Sequence, residues 1–345
     1  MSTTSELEAL RAELAFTSAR RGAPPVAVTD WASLSRTMQW QFANDGDSDL
    51  IVNGEHVPTR LARAAPPRKS AKASVSQVGG GQPIWEHLRF DGPAPVWSRE
   101  LFDRMHRLRE NGGSLSPPGY PHSAEDIYRA CRYLTPTSAH RSRAEGRRAR
   151  DKTAVRVGVF SSITPWAELT MGACLGQSPI TTIDYNAPVL ADGGAAQAHV
   201  ANLRVLHQAR LAHECSRAGR AGAFDVAVAF SGIEHDGLGR YGDPTNPYGD
   251  LHALHEIHHC LPERGGHLLL AVPTCHRDTL IFPAHRVYGP GRLRRLLANW
   301  TLLARVWANR TVEGGLERAD EAPSLWIEDC NAWQHQQVLV LEKRL

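Results

Sequence analysis

Hydrophobic and polar positions from residue 154 onward form a regular alternation of predicted strands and helices. β-Branched or continuous apolar runs predict strands at 154–160, 180–184, 203–206, 225–230, 267–272 and 337–342. Helices are predicted at 165–175, with proline in the first turn, and at 251–261. Strands that alternate with helices imply right-handed crossovers and a largely parallel sheet. The predicted fold class is therefore α/β.

The first 150 residues lack this alternation and are predicted to form a mainly helical extension or cap. Helices are predicted at 5–20, where Ser5 is a plausible N-cap, and at 98–110 and 123–134. Residues 61–82 lose large apolar side chains and gain Pro, Lys, Ser and Gly, which is typical of a flexible linker. The predicted organisation is an extension at 1–150, with a linker near 61–82, and an α/β domain at 151–345.

Composition and charge narrow the class of protein. The 345 residues are 42% hydrophobic and 22% charged, as in ordinary globular proteins, and the net charge of +3 is too small to indicate nucleic acid. The acidic N-terminus is unlike a signal peptide, and no apolar run approaches the roughly 18 residues of a membrane span. We therefore expect a cytoplasmic protein without a membrane partner, and the oligomeric state stays open. A basic run precedes the strand at 154–160 and predicts an exposed helix or linker, or alternatively a phosphate-binding patch: Arg141, Arg143, Arg147, Arg148, Arg150 and Lys152.

Two sequence patterns bear on whether the protein binds a metal ion. His255, Glu256 and His259 spell H-E-x-x-H, which on a helix would place two imidazoles beside a carboxylate for zinc-dependent hydrolysis. The predicted helix ends at once in Leu261-Pro262 and no third ligand is marked, so a polar outer helix face is favoured and no metal is expected. The six cysteines lack C-x-x-C spacing, which predicts reduced thiols and no disulfide framework or zinc site: Cys131, Cys174, Cys215, Cys260, Cys275 and Cys330.

Candidate catalytic side chains concentrate where the predicted strand at 225–230 ends. Ligands bind outside the carboxyl ends of the strands in open α/β sheets, so a charged, glycine-rich cluster at this point indicates a site. His235 is a candidate general base because imidazole titrates near neutral pH, and Glu234 or Asp236 could orient it. Arginines here can pair with a carboxylate or phosphate of a substrate. The candidate substrate-binding residues are Arg240, Tyr241, His285, Arg286 and Tyr288.

The same charged residues also permit a structural interpretation, and two short patterns are rejected. Arg240, Asp243, Asp250 and Arg286 could form a buried ion-pair lattice that braces the loops. No G-x-S-x-G elbow surrounds the serines at 161 and 162, which argues against a serine hydrolase. A G-x-G-x-x-G pattern is followed by prolines instead of a helix, which argues against the dinucleotide fingerprint: Gly237, Gly239 and Gly242.

A small polar turn after the first strand and an acidic residue after the second predict a cofactor site. Ser161, Ser162 and Thr164 lead into Pro165-Trp166, and a helix N-terminus with free amides favours a carboxylate or phosphate. Asp184, about twenty residues on, is well placed to accept hydrogen bonds from ribose hydroxyls. Together they predict a nucleoside-bearing cofactor across the strand tips. The alternative to a cofactor site is that Thr164 only caps the helix and Asp184 only stabilises a turn.

Five segments carry a family resemblance: TPWAE, TTIDYN, FSGIEHDGLGRYGDPTNPYGD, LPERGGHLLLAVP and AHRVYGPGRL. They resemble an uncharacterised family catalogued as a domain of unknown function, which is itself similar to class I S-adenosylmethionine-dependent methyltransferases. The resemblance covers roughly residues 154–305. It implies a Rossmann-like domain with helices on both faces of the sheet, and S-adenosyl-L-methionine as the cofactor.

The resemblance also implies roles for individual residues. Glu234 and His235 fall near the sulfonium and the acceptor, and Ser161 stands where the family usually has glycine, so its side chain reduces close approach to the ligand. The implied activity is methyl transfer to a small polar acceptor, with a carboxylate or phosphate as one option. A catalytically silent ligand-binding or regulatory protein and a metal-dependent hydrolase are the alternatives. The implied cofactor contacts are Ser161, Ser162, Thr164, Trp166, Asp184 and Ser231.

Overall fold

The structure is a computed structural model that describes residues 49–52, 55–57, 94–117, 119–134, 154–176, 178–191, 200, 202–241, 243, 245–308, 310–313, 325–330 and 333–344. The predicted helix at 5–20, the linker at 61–82 and the basic run at 141–152 lie outside these residues. The helices, α1 to α6, are Arg99–Glu110, Ser123–Ala130, Trp166–Leu175, Leu211–Ala218, Gly249–Cys260 and Pro290–Leu296. The strands, β1 to β14, are Asp49–Val52, Glu55–Val57, Val96–Trp97, Val157–Phe160, Ile180–Asp184, Val189–Leu190, Arg204–His207, Val226–Phe230, His267–Ala271, Thr279–Phe282, His285–Val287, Trp300–Trp307, Arg310–Glu313 and Val338–Lys343.

An eight-stranded mixed sheet forms the centre of the fold, in the order β13-β12-β14-β9-β8-β4-β5-β7. Neighbours from β9 to β7 are parallel, whereas β14 runs antiparallel to both β9 and β12, and β12 is antiparallel to β13. The predicted α/β class is confirmed. The expected largely parallel sheet is instead a mixed one, because the last strand inserts between β9 and β12 and runs opposite to both.

Helices pack on both faces of this sheet, over two separate hydrophobic cores. Alternate strand residues such as Val157 and Val228 point to the core that α3 covers, while their neighbours Ala227 and Ala229 point to the core that α4, α5 and α6 cover. This alternation follows from the two-residue period of a strand, with apolar side chains on both faces.

The described part of the N-terminal region contributes to the first of these cores. Phe102 of α1 and Ile127 of α2 are buried in one cluster with Val157 and Leu169. Both predicted helices are present, with the Ser98 hydroxyl accepting the Leu101 amide at the start of α1. The region also holds strands that the pattern did not predict, since β1 pairs in parallel with β10 in a second sheet ordered β11-β10-β1-β2.

Two disulfide bonds correct the prediction of reduced thiols. Cys215 of α4 is bonded to Cys260 of α5, and Cys275, after β9, is bonded to Cys330. The partners are 45 and 55 residues apart in sequence, so local spacing carried no sign of the pairs. Within the described residues no helix is both long and apolar enough to cross a membrane.

Candidate functional site

The carboxyl ends of β4, β5 and β8 frame a pocket. Strands β5 and β7 lie on one side of β4 while β8 and β9 lie on the other, so the strand order reverses at this point. Open α/β sheets bind ligands at such a switch point. The pocket holds about 510 Å³ of empty space, part of it open to solvent. Its lining residues are Pro95, Ser161, Ile163, Asp184, Tyr185, Asn186, Ser231, Gly232, His235, Asp236 and Tyr241.

Two strand-end loops touch at the floor of this pocket. Ser161 after β4 and Ser231 after β8 both have left-handed backbones, with φ of 60° and 49°. A Cβ atom added to Gly232 would lie 2.5 Å from the Ser161 Cβ, so the β8 loop fits only because residue 232 has no side chain. A left-handed backbone favours glycine, so the serine at position 161 occupies a conformation that is costly for a residue with a side chain.

Three of the six predicted cofactor-binding residues do not line the pocket. The Ser162 hydroxyl is buried within reach of Glu168 Oε2 (3.0 Å) and the Thr164 carbonyl oxygen (2.9 Å). Thr164 is exposed on the turn. Trp166 packs edge-on against Phe230, with ring centroids 5.1 Å apart. These residues support the turn from behind, whereas Ser161 reaches the pocket.

A buried carboxyl group lies beneath this turn. The Thr182 hydroxyl donates to Glu168 Oε1 at 2.7 Å, and burial raises the pKa of Glu168 to about 7. The group is therefore mostly neutral below neutral pH, and it links α3 to β5 directly under the strand ends. The sequence pattern did not single out Glu168, because a glutamate in the first turn of a helix is ordinary.

Asp184 combines the two roles that the sequence left open. Its Oδ1 accepts a 2.6 Å hydrogen bond from the Asn186 amide, which is an Asx turn, and the residue also lines the pocket. Burial raises the pKa of Asp184. One oxygen thus fixes the turn.

A hydrogen-bond network centres on the Ser231 hydroxyl. It donates to Glu234 Oε1 at 2.7 Å and accepts from Gln336 Nε2 at 3.0 Å. The Tyr120 hydroxyl lies 2.7 Å away and supplies the remaining donor, since Ser231 has already used its one proton. Tyr120 and Gln336 were not predicted, because each is more than 100 residues from Ser231 in sequence.

Glu234 is buried beside His235, which lines the pocket. Glu234 is 1% exposed, burial raises its pKa to about 7, and its Oε2 has no hydrogen-bond partner within the described part of the chain. His235 Nε2 lies 3.6 Å from Glu234 Oε1. Burial and the charge of Arg240 hold the pKa of His235 well below its usual value, so this imidazole is neutral.

The tautomer of His235 decides which ring nitrogen is available. Its Nδ1 lies 2.7 Å from the Ala284 carbonyl oxygen and 3.0 Å from Arg240 Nη1. Nδ1 cannot donate to the carbonyl and accept from the guanidinium at once, so the two contacts belong to different tautomers. Arg240 Nη1 also donates to the Ala284 oxygen at 3.0 Å. With the proton on Nδ1, the Nε2 lone pair faces Glu234.

The predicted substrate-binding residues divide into two groups. Tyr241 lines the pocket, and the Arg240 guanidinium lies over its ring at 4.9 Å from Cζ to centroid. His285 is buried with its ring centroid 6.2 Å from that of His235, and its pKa is lowered by burial to about 3. Outside the pocket lining are Arg240, His285, Arg286 and Tyr288, of which Arg286 and Tyr288 are almost completely buried.

Arg286 and Tyr288 belong to a buried lattice around Asp250. Arg286 is 3% exposed and donates to backbone carbonyls, including that of Asp236 at 2.6 Å. Asp250 accepts from the Tyr288 hydroxyl at 3.0 Å and from Arg292 Nε and Nη2 at 2.8 and 2.6 Å. Asp250 and Arg286 thus belong to a buried lattice that braces the loops, as the structural interpretation of the sequence predicted. The arginine that pairs with Asp250 through two hydrogen bonds is Arg292, in the place that this interpretation gave to Arg240.

Asp243 has a different task from the one expected in an ion-pair lattice. Its Oδ2 accepts the Gly237 and Gly239 amides at 2.7 and 3.2 Å, and its Oδ1 accepts the Tyr241 amide at 3.1 Å. Gly237 and Gly239 have φ of 77° and 74°, so these glycines permit a tight turn around one carboxylate. The loop is built for its own geometry, in agreement with the rejection of a dinucleotide fingerprint.

The metal-ligating groups are distributed differently from the sequence pattern. His255, Glu256 and His259 lie on α5, where Glu256 accepts from Gln208 at 2.9 Å. Across the described ranges, the group of ligand atoms that converges within 4.8 Å belongs instead to Cys275, His276 and Cys330.

Comparisons with known proteins give a family and distant similarities to solved structures, of which two are described. The selenomethionine-substituted carbon methyltransferase CurJ is 13% identical with a TM-score of 0.31, and covers 57% of this chain, which spans 50% of the CurJ chain. The structure of PigF with SAH is 12% identical with a TM-score of 0.33, covering 98% of this chain and 99% of that one. No curated protein matches. Residues 155–343, more than half of the sequence, match the family described as Caenorhabditis protein of unknown function, DUF268. The chain belongs to the DUF268 family.

Proposed function

We propose that this protein is an S-adenosylmethionine-dependent methyltransferase that acts on a small polar acceptor. The observation that carries the proposal is the pocket at the switch point, where Ser161, Asp184 and His235 come from the ends of β4, β5 and β8. The reversal of strand order at β4 supports it, because open α/β sheets bind their ligands outside the strand ends at such a point.

The residues present fit a positively charged, nucleoside-bearing cofactor. Asp184 uses Oδ1 in its turn, so Oδ2 is the oxygen that would accept from ribose hydroxyls. Burial raises the pKa of Glu234 and Asp236, and a nearby positive charge would favour their ionised forms. The ring of Tyr241 adds an aromatic surface for a cation. When bound, S-adenosyl-L-methionine supplies a methyl group activated by a positively charged sulfur.

His235 and Glu234 would handle the proton of the acceptor. His235 is neutral, and in the tautomer with the proton on Nδ1 it can accept a proton at Nε2. Glu234 Oε1, 3.6 Å from that nitrogen, would stabilise the resulting imidazolium against the charge of Arg240. Ser231 donates to this carboxylate and is itself held by Tyr120 and Gln336. General-base catalysis of this kind contributes typically about 10²- to 10⁴-fold.

The engagement of the two arginines bears on the kind of acceptor. The Arg286 guanidinium donates hydrogen bonds to loop carbonyl oxygens. The Arg240 guanidinium lies over the Tyr241 ring and donates to the Ala284 carbonyl oxygen. This favours an acceptor recognised by hydrogen bonds over one recognised by its carboxylate or phosphate. Asn186 and Tyr241 in the pocket lining are polar groups suited to that task.

A catalytically silent, ligand-binding protein is the second candidate. The Ser161 side chain lies in the pocket lining, at a position where the resemblance leads one to expect glycine, and it narrows the approach to the strand end. A protein of this kind would bind a nucleoside-bearing ligand without transferring a methyl group.

Calorimetric titration of S-adenosylmethionine and S-adenosylhomocysteine into the purified chain tests the proposal. We expect binding that Asp184→Ala abolishes, that His235→Ala retains, and that the control Asp103→Ala on α1, outside the pocket lining, leaves unchanged. Binding without methyl transfer to any member of a panel of hydroxyl, amine and thiol acceptors would favour the silent protein. No heat from either ligand, in a chain with the expected circular dichroism, would refute the proposed cofactor.

A further inference from the structure

Three side chains with metal-binding atoms meet at a place separate from the pocket lining. Cys275 and His276 follow β9, Cys330 lies in the segment 325–330, and their ligand atoms are within 4.8 Å of one another. In this structure the two sulfur atoms are joined as a disulfide. Reduction of this disulfide would give a second state, in which two thiols and an imidazole lie close together.

Backbone and side-chain hydrogen bonds hold the two segments together independently of the disulfide. The His276 amide donates to the Ile327 carbonyl oxygen at 3.0 Å, and the Thr274 hydroxyl donates to the Leu325 carbonyl oxygen at 2.7 Å. The Cys275 amide donates to the Tyr288 carbonyl oxygen at 3.1 Å, which ties this side to β11. The three ligand side chains therefore stay close together when the sulfur–sulfur bond is broken.

The distance between Cys330 and His276 suits a tetrahedral site, and the two sulfur atoms move apart once their bond is broken. Cys330 Sγ lies 3.7 Å from His276 Nδ1. Zinc bonds of about 2.3 Å to sulfur and about 2.0 Å to nitrogen, at a tetrahedral angle, place these two atoms about 3.5 Å apart. Binding through Nδ1 requires the imidazole proton on Nε2, so the 3.2 Å contact of Nδ1 with the Ile327 oxygen is given up. Glu328 Oε2, 4.0 Å from Nδ1 on an exposed side chain, or water can supply the fourth ligand.

We propose that the reduced chain binds one zinc ion through Cys275, His276 and Cys330. A dithiol reductant gives two electrons and two protons to the disulfide, which becomes two thiols while the reductant becomes a disulfide. Each thiol then releases its proton to solvent as its sulfur binds the metal. Soft thiolate ligands with an imidazole select zinc over magnesium or calcium. The ion replaces the disulfide as the cross-link between the two segments.

The cross-link precedes residues that reach the pocket network. Beyond Cys330, the ring of Trp333 packs edge-on against Tyr120 at 5.1 Å, and Gln336 donates to Ser231. Either cross-link, disulfide or metal, thus anchors the chain shortly before these contacts. The inference does not depend on the proposed methyl transfer.

The test is metal titration of the full chain, reduced with a phosphine and handled without oxygen. Zinc is titrated against a chromogenic chelator, and cobalt is substituted to reveal thiolate-to-metal absorption in the near ultraviolet. We expect one equivalent bound, and a loss of affinity on the order of 100-fold or more in Cys275→Ser and Cys330→Ser. His276→Ala should weaken binding while leaving both thiols titratable. The control is the double variant Cys215→Ser/Cys260→Ser, which removes the other disulfide and should bind zinc as the parent does.

Three results would overturn the inference. The first is absence of zinc binding by the reduced chain while its thermal melting shows it to be folded. The second is binding that persists undiminished in Cys330→Ser. The third is a Cys275–Cys330 disulfide that survives reduction in the folded chain. Should the cysteine variants fail to fold, the cobalt spectrum of the unsubstituted reduced chain, with or without thiolate absorption, decides the matter.

Discussion

The contact between Ser161 and Gly232 predicts two substitutions that compensate each other. A Cβ atom at residue 232 would lie 2.5 Å from the Ser161 Cβ and 2.7 Å from its Oγ, while the next atom, the Ser161 Cα, is 3.9 Å away. Gly232 has φ of −128°, outside the left-handed region that requires glycine, so the obstacle considered is the contact with Ser161. We expect Gly232→Ala to destabilise the chain, and Ser161→Gly to remove that effect.

The magnitude follows from overpacking. Forcing a methyl group into this contact costs about 1–3 kcal/mol of unfolding free energy. Ser161→Gly alone should be neutral or stabilising by up to about 1.6 kcal/mol, because the left-handed backbone costs a non-glycine residue about 1–2 kcal/mol and the freedom of glycine in the unfolded chain offsets about 0.4–1 kcal/mol. In the double variant the added Cβ meets no Ser161 atom closer than 3.9 Å. The expected coupling energy is therefore about 1–3 kcal/mol.

Urea unfolding of the parent, both single variants and the double variant measures this coupling. Gly172→Ala on α3 is the matched control, because a Cβ there meets nothing within 4 Å and alanine favours a helix interior by about 1 kcal/mol. If the two single effects add to within about 0.5 kcal/mol, the strand-end loops do not touch as described and the reasoning fails.

Three further substitutions test other parts of the structure by unfolding. Asp250→Asn removes the charge opposite buried Arg292 and should cost about 3–5 kcal/mol, so a loss below about 1 kcal/mol would contradict the lattice. Burial raises the pKa of Glu168 from 4.5 to about 7, so its contribution to the free energy of unfolding is complete below about pH 4.5 and is lost as the pH rises through 7. This loss is on the order of 3 kcal/mol, and Glu168→Gln should reduce the decrease in stability with pH. An unchanged profile of unfolding free energy against pH would contradict this prediction. Tyr120→Phe leaves Ser231 short of a donor and should cost about 0.5–1.5 kcal/mol, whereas an unaltered stability would place the Tyr120 hydroxyl elsewhere.

Strands whose side chains are apolar on both faces were predictable from the sequence, and short strands that depend on a distant partner were not. The prediction for β5 has the observed bounds, and β8 differs by one residue at its start. Strand β10 has four residues, and β11 has three, which include His285 and Arg286. Both went unpredicted because runs this short show no clear alternation of apolar and polar positions. They exist through pairing with β1 and with each other. Tertiary context determined these elements.

The site was predictable in position but only partly in composition. The rule that ligands bind at strand ends found Ser161, Asp184 and His235, the family resemblance added Ser231, and all four line the pocket. It could not tell that Ser162, the neighbour of Ser161, turns inward to a buried glutamate, because a one-residue shift at a strand end reverses the direction of the side chain.

The loop after β8 uses its charged residues in two ways, and burial separates them. Buried backbone groups in an irregular segment need partners, since each unsatisfied group costs about 1–3 kcal/mol. Asp243 supplies acceptors for loop amides and Arg286 supplies donors for loop carbonyls, so the segment can be buried without regular structure. Burial outweighs the nearby charge of Arg286 and keeps the pKa of Glu234 at about 7 and that of Asp236 well above its usual value. The loop thus holds one carboxyl group in the pocket lining, that of Asp236, and a second just behind it, that of Glu234, for which a bound cation would be the favourable partner.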